Sequence, residues 1–278
     1  MTAVKVEGID KIITESIEQS SKESERVARV MRGLNADLYA SLDKYTDDNG
    51  VIPTSRLNSF NAEIKELEAE YLTEIEDALI ATVESVIDEV TEATYKELEK
   101  IPDVSAMLTS TIMRDTKELA LEELLKRKVD EVKVDSRIKA LTISITALIG
   151  REVRNSILLK KKASDISKRV DDVIKSNTWT VKKLITSEVL TSIRLSILKL
   201  GDKLGILKGI KIIDNRGRHG GHHLHKCFKY AEEDKYGMGK GVYKTTDTYI
   251  LDPHPQCTAY FELILKDKYS TGRDADAE

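Results

Sequence analysis

The sequence predicts a mainly α protein in which long amphipathic helices form an N-terminal body and a small α+β domain follows at the C-terminus. Two observations predict this class. Apolar residues recur at helical spacing through about the first two hundred residues. Beyond Gly201, glycines separate short apolar runs, which is typical of strands and turns. A third observation marks the C-terminal domain, because all five histidines and both cysteines lie between His219 and Cys257.

Two long helices are predicted at the start of the chain. Apolar residues line one face of a first helix from Ile9 to Tyr45, and the polar stretch from Asp47 to Pro53 ends it. The second helix runs from about Ser55 to Lys100, with apolar residues spaced close to the helical period. We expect both helices to bury one face.

Shorter helices are predicted after Pro102, at about 104–128, 133–160, 164–176 and 178–201, and Trp179 is expected to begin the last one as a core anchor. Strands are predicted at Ile210 to Ile213 and Tyr260 to Leu265. The predicted organisation is a helical body at 1–163, an α+β domain at 164–265 and a tail at 266–278. The tail is charged and lacks apolar anchors, so we expect it to be disordered.

Composition excludes several classes of protein. The chain is 40% hydrophobic and 33% charged, which suits a soluble protein with a core. Two cysteines among histidines favour metal or free thiols over a secreted disulfide scaffold. The most apolar segment, Ala140 to Gly150, is much shorter than the roughly twenty residues that span a bilayer. No membrane partner and no secretory signal are expected, so the chain is predicted to stay in the cytoplasm where it is made.

Charge is distributed unevenly along the chain. Residues 1–100 carry 23 acidic and 11 basic side chains, net −12, which leaves 25 acidic and 33 basic, net +8, for residues 101–278. The basic half contains a cluster suited to neutralising the phosphates of DNA. Its members are Arg151, Arg154, Lys160, Lys161, Lys162, Lys168 and Arg169. The alternative is that these side chains cover solvated helix faces.

Several C-terminal elements resemble one known family. They are Ile185-Thr-Ser-Glu188, Arg194, the apolar run Ile210–Ile213 with Asp214, Cys227, Gly241-Val-Tyr243 and His254-Pro-Gln-Cys257. In this order they resemble the C-terminal domain of the tailed-phage minor head proteins of the head-morphogenesis family, the Mu type. The resemblance covers about residues 164–265, and His254-Pro-Gln-Cys257 is its most specific part.

The resemblance implies a structural protein of a phage or prophage head. It implies association with the portal protein and other head proteins at the portal vertex during procapsid assembly, and contact with DNA. It implies no enzymatic activity and a location in the virion. The chain departs from the family at two points, since it has a single cysteine, Cys227, after the aspartate and reads Cys257-Thr-Ala259 without a further cysteine. The long N-terminal helices also offer apolar stripes for self-association.

The histidine and cysteine cluster has the composition of a structural zinc site. Such a site needs four nitrogen or sulfur ligands, usually supplied by two short turns. Cys227 with His223 or His225 would form one turn, and His254 with Cys257 the other. The alternative is a glycine-rich loop with incidental histidines and a buried Cys257.

Two further function classes remain open at this stage. His222, His223 and His254 are of the type that metal-dependent endonucleases use to activate water, which would make the chain a DNA-processing enzyme. The other class is a helical DNA-binding or scaffold protein without metal. Glu188 and Arg194 lie six residues apart on a predicted helix, too far for an i,i+4 pair, so each is expected to find a partner elsewhere or to lie in solvent.

Overall fold

The computed structural model describes residues 3–4, 9–129, 132–215, 225–253 and 257–269. Helix makes up 74% of the chain and strand 7%. Long helices form the N-terminal part and a small sheet lies near the C-terminus. The predicted fold class is therefore confirmed.

The elements are numbered in chain order. The helices are α1 (Ile9–Tyr45), α2 (Leu57–Glu99), α3 (Pro102–Ser105), α4 (Ser110–Lys126), α5 (Val134–Leu158), α6 (Ala163–Lys203) and α7 (Lys226–Glu232). The strands are β1 (Ala3–Val4), β2 (Lys128–Val129), β3 (Val132–Lys133), β4 (Leu207–Ile213), β5 (Val242–Tyr243) and β6 (Tyr260–Leu265). Helix α1 and strand β6 have the predicted bounds, and α2 is preceded by a 3-10 turn at Thr54–Arg56.

The two helices predicted at 164–176 and 178–201 are one continuous helix, α6. Three polar residues at the expected break extend the helix because their side chains donate hydrogen bonds back to carbonyls of the preceding turn. Ser176 and Asn177 both donate to Val173, and Thr178 donates to Ile174. The predicted break is therefore wrong. Side chains of these types can compete with helical hydrogen bonding, but here they bond to carbonyls of the same helix.

The prediction that Trp179 anchors the core is wrong. Its side chain is 64% exposed in the middle of α6, and the ammonium group of Lys183 lies 5.0 Å from the centre of its ring. Because the helix continues through residue 178, the buried positions fall at Ile174, Val181 and Ile185. Trp179 therefore lies on the solvent face.

The chain forms two compact units. The bundle unit comprises Ser21–Ala81 and Lys128–Ile185, and the sheet unit comprises Met1–Ser20, Thr82–Arg127 and Thr186–Glu278. Helices α1, α2 and α6 contribute residues to both. The division thus follows packing, and the boundaries predicted at 164 and 265 stay a prediction.

In the bundle unit, segments of α1, α2, α5 and α6 form an antiparallel four-helix arrangement, which polar contacts close into a ring. The contacts are Lys44–Glu63 (2.7 Å) between α1 and α2, Lys139–Glu76 (4.0 Å) between α2 and α5, Arg169–Glu152 (3.6 Å) between α5 and α6, and Lys182–Ser21 (3.2 Å) between α6 and α1. Each segment buries residues at helical spacing, among them Leu34, Leu38, Ile64, Ile75, Ile149, Val153, Val170 and Ile174. This is the amphipathic pattern that the sequence shows.

The sheet unit contains an antiparallel sheet with strand order β1-β6-β4-β5. Ile210 of β4 pairs with Tyr243 on one side and Leu263 on the other. A bulge separates Leu207 from Gly209, and a Cβ at Gly209 would lie 2.7 Å from the carbonyl oxygen of Tyr243. Only glycine at position 209 lets β4 and β5 approach so closely.

The C-terminal half of α6 forms the centre of the sheet unit. Between Ser187 and Leu198 every side chain is buried, and α2 and α4 contribute further apolar residues such as Val90 and Leu124.

Past β6, Asp267–Tyr269 forms a 3-10 turn in the segment predicted as a disordered tail, and residues 270–278 lie outside the described residues. No helix in the described ranges is long and apolar enough to cross a membrane.

Candidate functional site

Arg194 lies at the centre of the candidate site. This side chain on α6 is 2% exposed, and its guanidinium donates hydrogen bonds to three backbone carbonyls. Nη1 lies 2.7 Å from the oxygen of Leu251, Nε lies 2.9 Å from that of Ala259, and Nη2 donates to Cys257. These carbonyls lie on both sides of residues 254–256. The guanidinium therefore fixes the chain before and after the most specific part of the family resemblance.

A second arginine joins three distant parts of the sheet unit. Arg127, at the end of α4, places Nη2 2.8 Å from a carboxylate oxygen of Glu188 and Nη1 3.0 Å from one of Asp252. The side chains of Arg127 and Asp252 are each 12% exposed and that of Glu188 is 3% exposed. Burying these charges costs desolvation free energy. The attraction between them offsets that cost only when the geometry of the pair is good. The expectation that Glu188 and Arg194 find partners elsewhere in the fold is confirmed.

The two cysteines lie side by side. Cys227 is in the first turn of α7, Cys257 lies just before β6, and both side chains are buried with reduced thiols. A hydrogen bond between the two thiols, together with burial, raises the pKa of Cys227 well above its ordinary value. Cys227 is therefore held as a thiol, which is a poor nucleophile.

The predicted zinc ligands are only partly placed. Cys227 and Cys257 come together. His225 lies two residues before Cys227 in sequence and is half-exposed, with its ring edge-on to Phe228 at 5.6 Å. His223 and His254 lie outside the described residues. Within the described ranges no three His, Cys, Asp or Glu side chains are arranged to hold a metal ion. Two adjacent cysteine sulfurs could supply two of the four zinc ligands. The zinc site stays a prediction.

Tyr243 of β5 ties the sheet to α7 and to the residue that follows this helix. Its hydroxyl lies 3.0 Å from the carbonyl oxygen of Tyr230 and 3.0 Å from a carboxylate oxygen of Glu233. The rings of Tyr230 and Tyr249 pack edge-on against it. Tyr243 is one of the residues that carry the resemblance, and its side chain, like those of Glu188, Arg194, Cys227 and Cys257, is buried.

The seven predicted DNA-contacting residues lie in the bundle unit. Arg151 and Arg154 are on α5, Lys160, Lys161 and Lys162 form the linker to α6, and Lys168 and Arg169 are on α6; all are exposed except Lys161, which is half-buried. The structure thus brings these residues to one end of the α5–α6 pair.

One carboxylate within the bundle faces this cluster. Glu68 of α2 lies close to Gly150, where a Cβ would be 2.7 Å from Oε1 of the carboxylate. Burial raises the pKa of Glu68, and the nearby charge of Arg154 opposes this shift. Oε1 is buried and has no hydrogen-bond partner among the described residues. Arg154 is therefore partly engaged within the chain.

An open cleft of about 520 Å³ lies on the sheet unit beside α7. Lys211, Asp214, Glu232 and Lys240 line it together with Met238 and Gly239. Lys240 is already paired with Glu232 at 3.0 Å. Acidic and basic side chains balance there, so the cleft shows no preference for ligands of one charge.

Sequence reasoning missed Arg127 and Asp252. Arg127 lies 61 residues from Glu188 and 125 residues from Asp252, and no spacing rule links residues so far apart.

The comparisons with known proteins found no matching family, no matching curated protein and no matching solved structure.

Proposed function

We propose that the chain is a structural minor component of a phage or prophage head that binds the portal protein during procapsid assembly. The proposal rests on the resemblance, and one observation supports it. Residues that carry the resemblance lie buried in the sheet unit, among them Glu188, Arg194, Cys227, Tyr243 and Cys257. Arg194 donates a hydrogen bond to the backbone carbonyl of Cys257, and the thiols of Cys257 and Cys227 are hydrogen-bonded to each other. Residues that serve one domain fold are expected to come together in this way.

Their burial favours a structural role over a catalytic one. A residue that acts on a substrate must reach it, whereas these side chains satisfy one another inside the domain. The surface offers features suited to protein partners instead. Trp179, the single tryptophan of the chain, is 64% exposed, and tryptophan is enriched among residues that dominate protein interfaces. We propose that Trp179 contacts a head protein.

The test is co-purification of the tagged full-length chain with the portal protein encoded by the same genome. We expect stable recovery of portal with the wild type and at least about tenfold weaker binding for Trp179→Ala. A tryptophan that becomes buried in an interface contributes about 1.4 kcal/mol or more to binding, which corresponds to a factor of about ten in affinity. Tyr39→Ala is the matched control, because Tyr39 is an exposed aromatic residue on α1. A folded wild-type chain that recovers no portal would refute the proposal.

DNA contact by the basic cluster is the second candidate, favoured by the exposure of these side chains. Binding by phosphate neutralisation must weaken as salt rises, with a log–log slope of roughly −0.9 per phosphate contact. Replacing Arg151 and Lys168 with alanine should lower this slope by about 2. Lys175→Ala is the control, since Lys175 lies on α6 beyond the cluster and pairs with Asp171. Binding that is insensitive to salt would exclude this mode.

One structural zinc at the paired thiols completes the proposal. Zinc would tie the start of α7 to the segment before β6, and its chemistry would be that of a cross-link. Metal analysis after equilibration with zinc should give about one equivalent in the wild type and none in Cys227→Ser. If the folded wild type binds no zinc, the zinc site is refuted. The portal-binding proposal does not depend on this result.

A further inference from the structure

The end of α5 and the linker that follows it present two consecutive leucines to solvent. Leu158 is 72% exposed and Leu159 is 64% exposed, and Lys160, Lys161 and Lys162 follow directly. Residues 158–162 are called the leucine tip below. Scattered single leucines on a surface are ordinary, but an adjacent pair at the end of a helix forms a small apolar knob.

The leucine tip has a fixed backbone. The amide of Lys160 bonds to the carbonyl of Ile157, and the amide of Lys161 bonds to that of Ser156, both at 2.9 Å. These two bonds form the Schellman ending of a helix, which requires a left-handed residue and normally uses glycine. Here Lys160 takes that conformation, with φ of 51°. The leucines are therefore held in solvent by an ordered turn.

The tip is also strongly basic. Residues 151–169 contain seven basic and two acidic side chains, net +5. No carboxylate of the described residues lies within 4.0 Å of the ammonium groups of Lys160, Lys161 or Lys162, although other members of the basic cluster have acidic neighbours. The three lysines repel one another, and an acidic surface would relieve that repulsion.

The same bundle unit carries a surface of opposite charge on α2. Glu66, Glu70, Glu74 and Asp77 are all exposed, and spacings of four, four and three residues place them on one face of the helix. They are called the acidic stripe. No lysine or arginine among the described residues lies within ion-pair distance of them, so like charges face each other along the stripe.

We propose that the leucine tip of one copy of this chain docks on the acidic stripe of a second copy. The lysines would pair with the stripe carboxylates. The leucines would pack beside Ala69 and Thr73, which are small, exposed and lie next to the acids on the helix surface. Each surface supplies the charge that the other lacks, and the apolar knob loses its exposure to water.

A second copy accounts for more observations than the other ligands do. DNA phosphates would engage the lysines and leave the leucine pair exposed. A lipid surface with anionic headgroups would engage the whole tip and leave the acidic stripe unpaired. A second copy uses both surfaces at once. The contact either closes reciprocally into a two-fold dimer, in which each tip docks on the other chain's stripe, or repeats head-to-tail into a ring or a filament. The inference does not depend on the proposed head function.

Sedimentation equilibrium of the full-length chain, up to about 100 µM, tests the proposal. We expect the wild type to self-associate, and more weakly as salt rises. The tip variant, Leu158→Ser with Leu159→Ser, should dissociate at least about tenfold more readily, because two leucines lose their burial. Ile143→Ser is the matched control, since Ile143 is a 54% exposed apolar residue of α5 away from the tip, and it should associate like the wild type.

A mixing experiment makes the test specific. The stripe variant, Glu66→Lys with Glu70→Lys, keeps an intact tip, and the tip variant keeps an intact stripe. Each should be monomeric alone, and an equimolar mixture should form a 1:1 complex that cannot grow further. Formation of that complex also shows that both variants are folded. A wild type that stays monomeric, or two variants that do not combine, would overturn the proposal. So would a monomeric chain whose tip binds duplex DNA or anionic vesicles.

Discussion

Replacing Arg194 with methionine should destabilise the sheet unit severely. Methionine keeps the apolar stem of the side chain and removes all three donors to the carbonyls of Leu251, Cys257 and Ala259. Each buried acceptor left without a partner costs roughly 1–3 kcal/mol. The lower part of this range, summed over three carbonyls, gives a loss of about 3–5 kcal/mol, similar to the effect of removing one partner of a buried ion pair.

Urea unfolding measures this loss, and hydrogen exchange of the β4 and β6 amides locates it. At about 2–4 °C per kcal/mol for a chain of this size, the melting temperature should fall by roughly 6–20 °C. Arg194→Lys should lose about half as much, because one ammonium group cannot reach three divergent carbonyls. Arg151→Met is the control, since Arg151 is exposed and should change stability by under about 0.5 kcal/mol. An Arg194→Met chain within about 1 kcal/mol of the wild type would refute the reasoning.

Three further outcomes are expected. Hydrogen bonds from α1 lower the pKa of Glu63 from 4.5 to about 2, so its contribution is complete above pH 4.5 and is lost as the pH falls towards 2. The difference in urea midpoint between wild type and Glu63→Gln should therefore shrink over that range, and a constant difference would contradict the pKa. Lys160→Gly should stabilise the chain by about 0.5–1 kcal/mol in thermal melts because glycine adopts a left-handed φ freely, whereas Lys162→Gly should not. Cys227 and Cys257 should react with an aromatic disulfide reagent at pH 8 only as fast as the unit opens, and immediate reaction of the native chain would show that the thiols are accessible.

The sequence predicts elements in which one face is buried along a regular period. Helix α1 and strand β6 have the predicted bounds because their apolar spacing and the polar residues that end them are both local signals. The continuity of α6 was missed because Ser176, Asn177 and Thr178 favour turns by composition, and only the folded helix shows their hydroxyl and amide groups bonded to the preceding turn.

The candidate site was only partly predictable for a different reason. Cys227 and Cys257 were singled out by residue type, and their pairing across 30 residues depends on how α7 and β6 are arranged around β4. Arg127 gives no local signal, because its partners Glu188 and Asp252 lie far along the chain. The exposure of Leu158 has no local signal in the sequence either, because a leucine at the end of an apolar stripe is ordinarily expected to continue the core.

The position of Arg194 in the chain has a consequence for synthesis on the ribosome. Its acceptors at Leu251, Cys257 and Ala259 follow it by 57, 63 and 65 residues. At roughly 5–20 residues per second, the arginine is made about 3–13 s before the last of these carbonyls exists. During that interval the C-terminal half of α6 cannot be buried without enclosing an uncompensated cation.

The sheet unit should therefore complete its packing only after β6 has left the ribosome. Because β6 also provides the edge on which β1 pairs, the first strand to be made waits for the last. A nascent chain that stalls before Ala259 would expose the apolar face of α6 and would resemble an unfolded protein to chaperones and proteases.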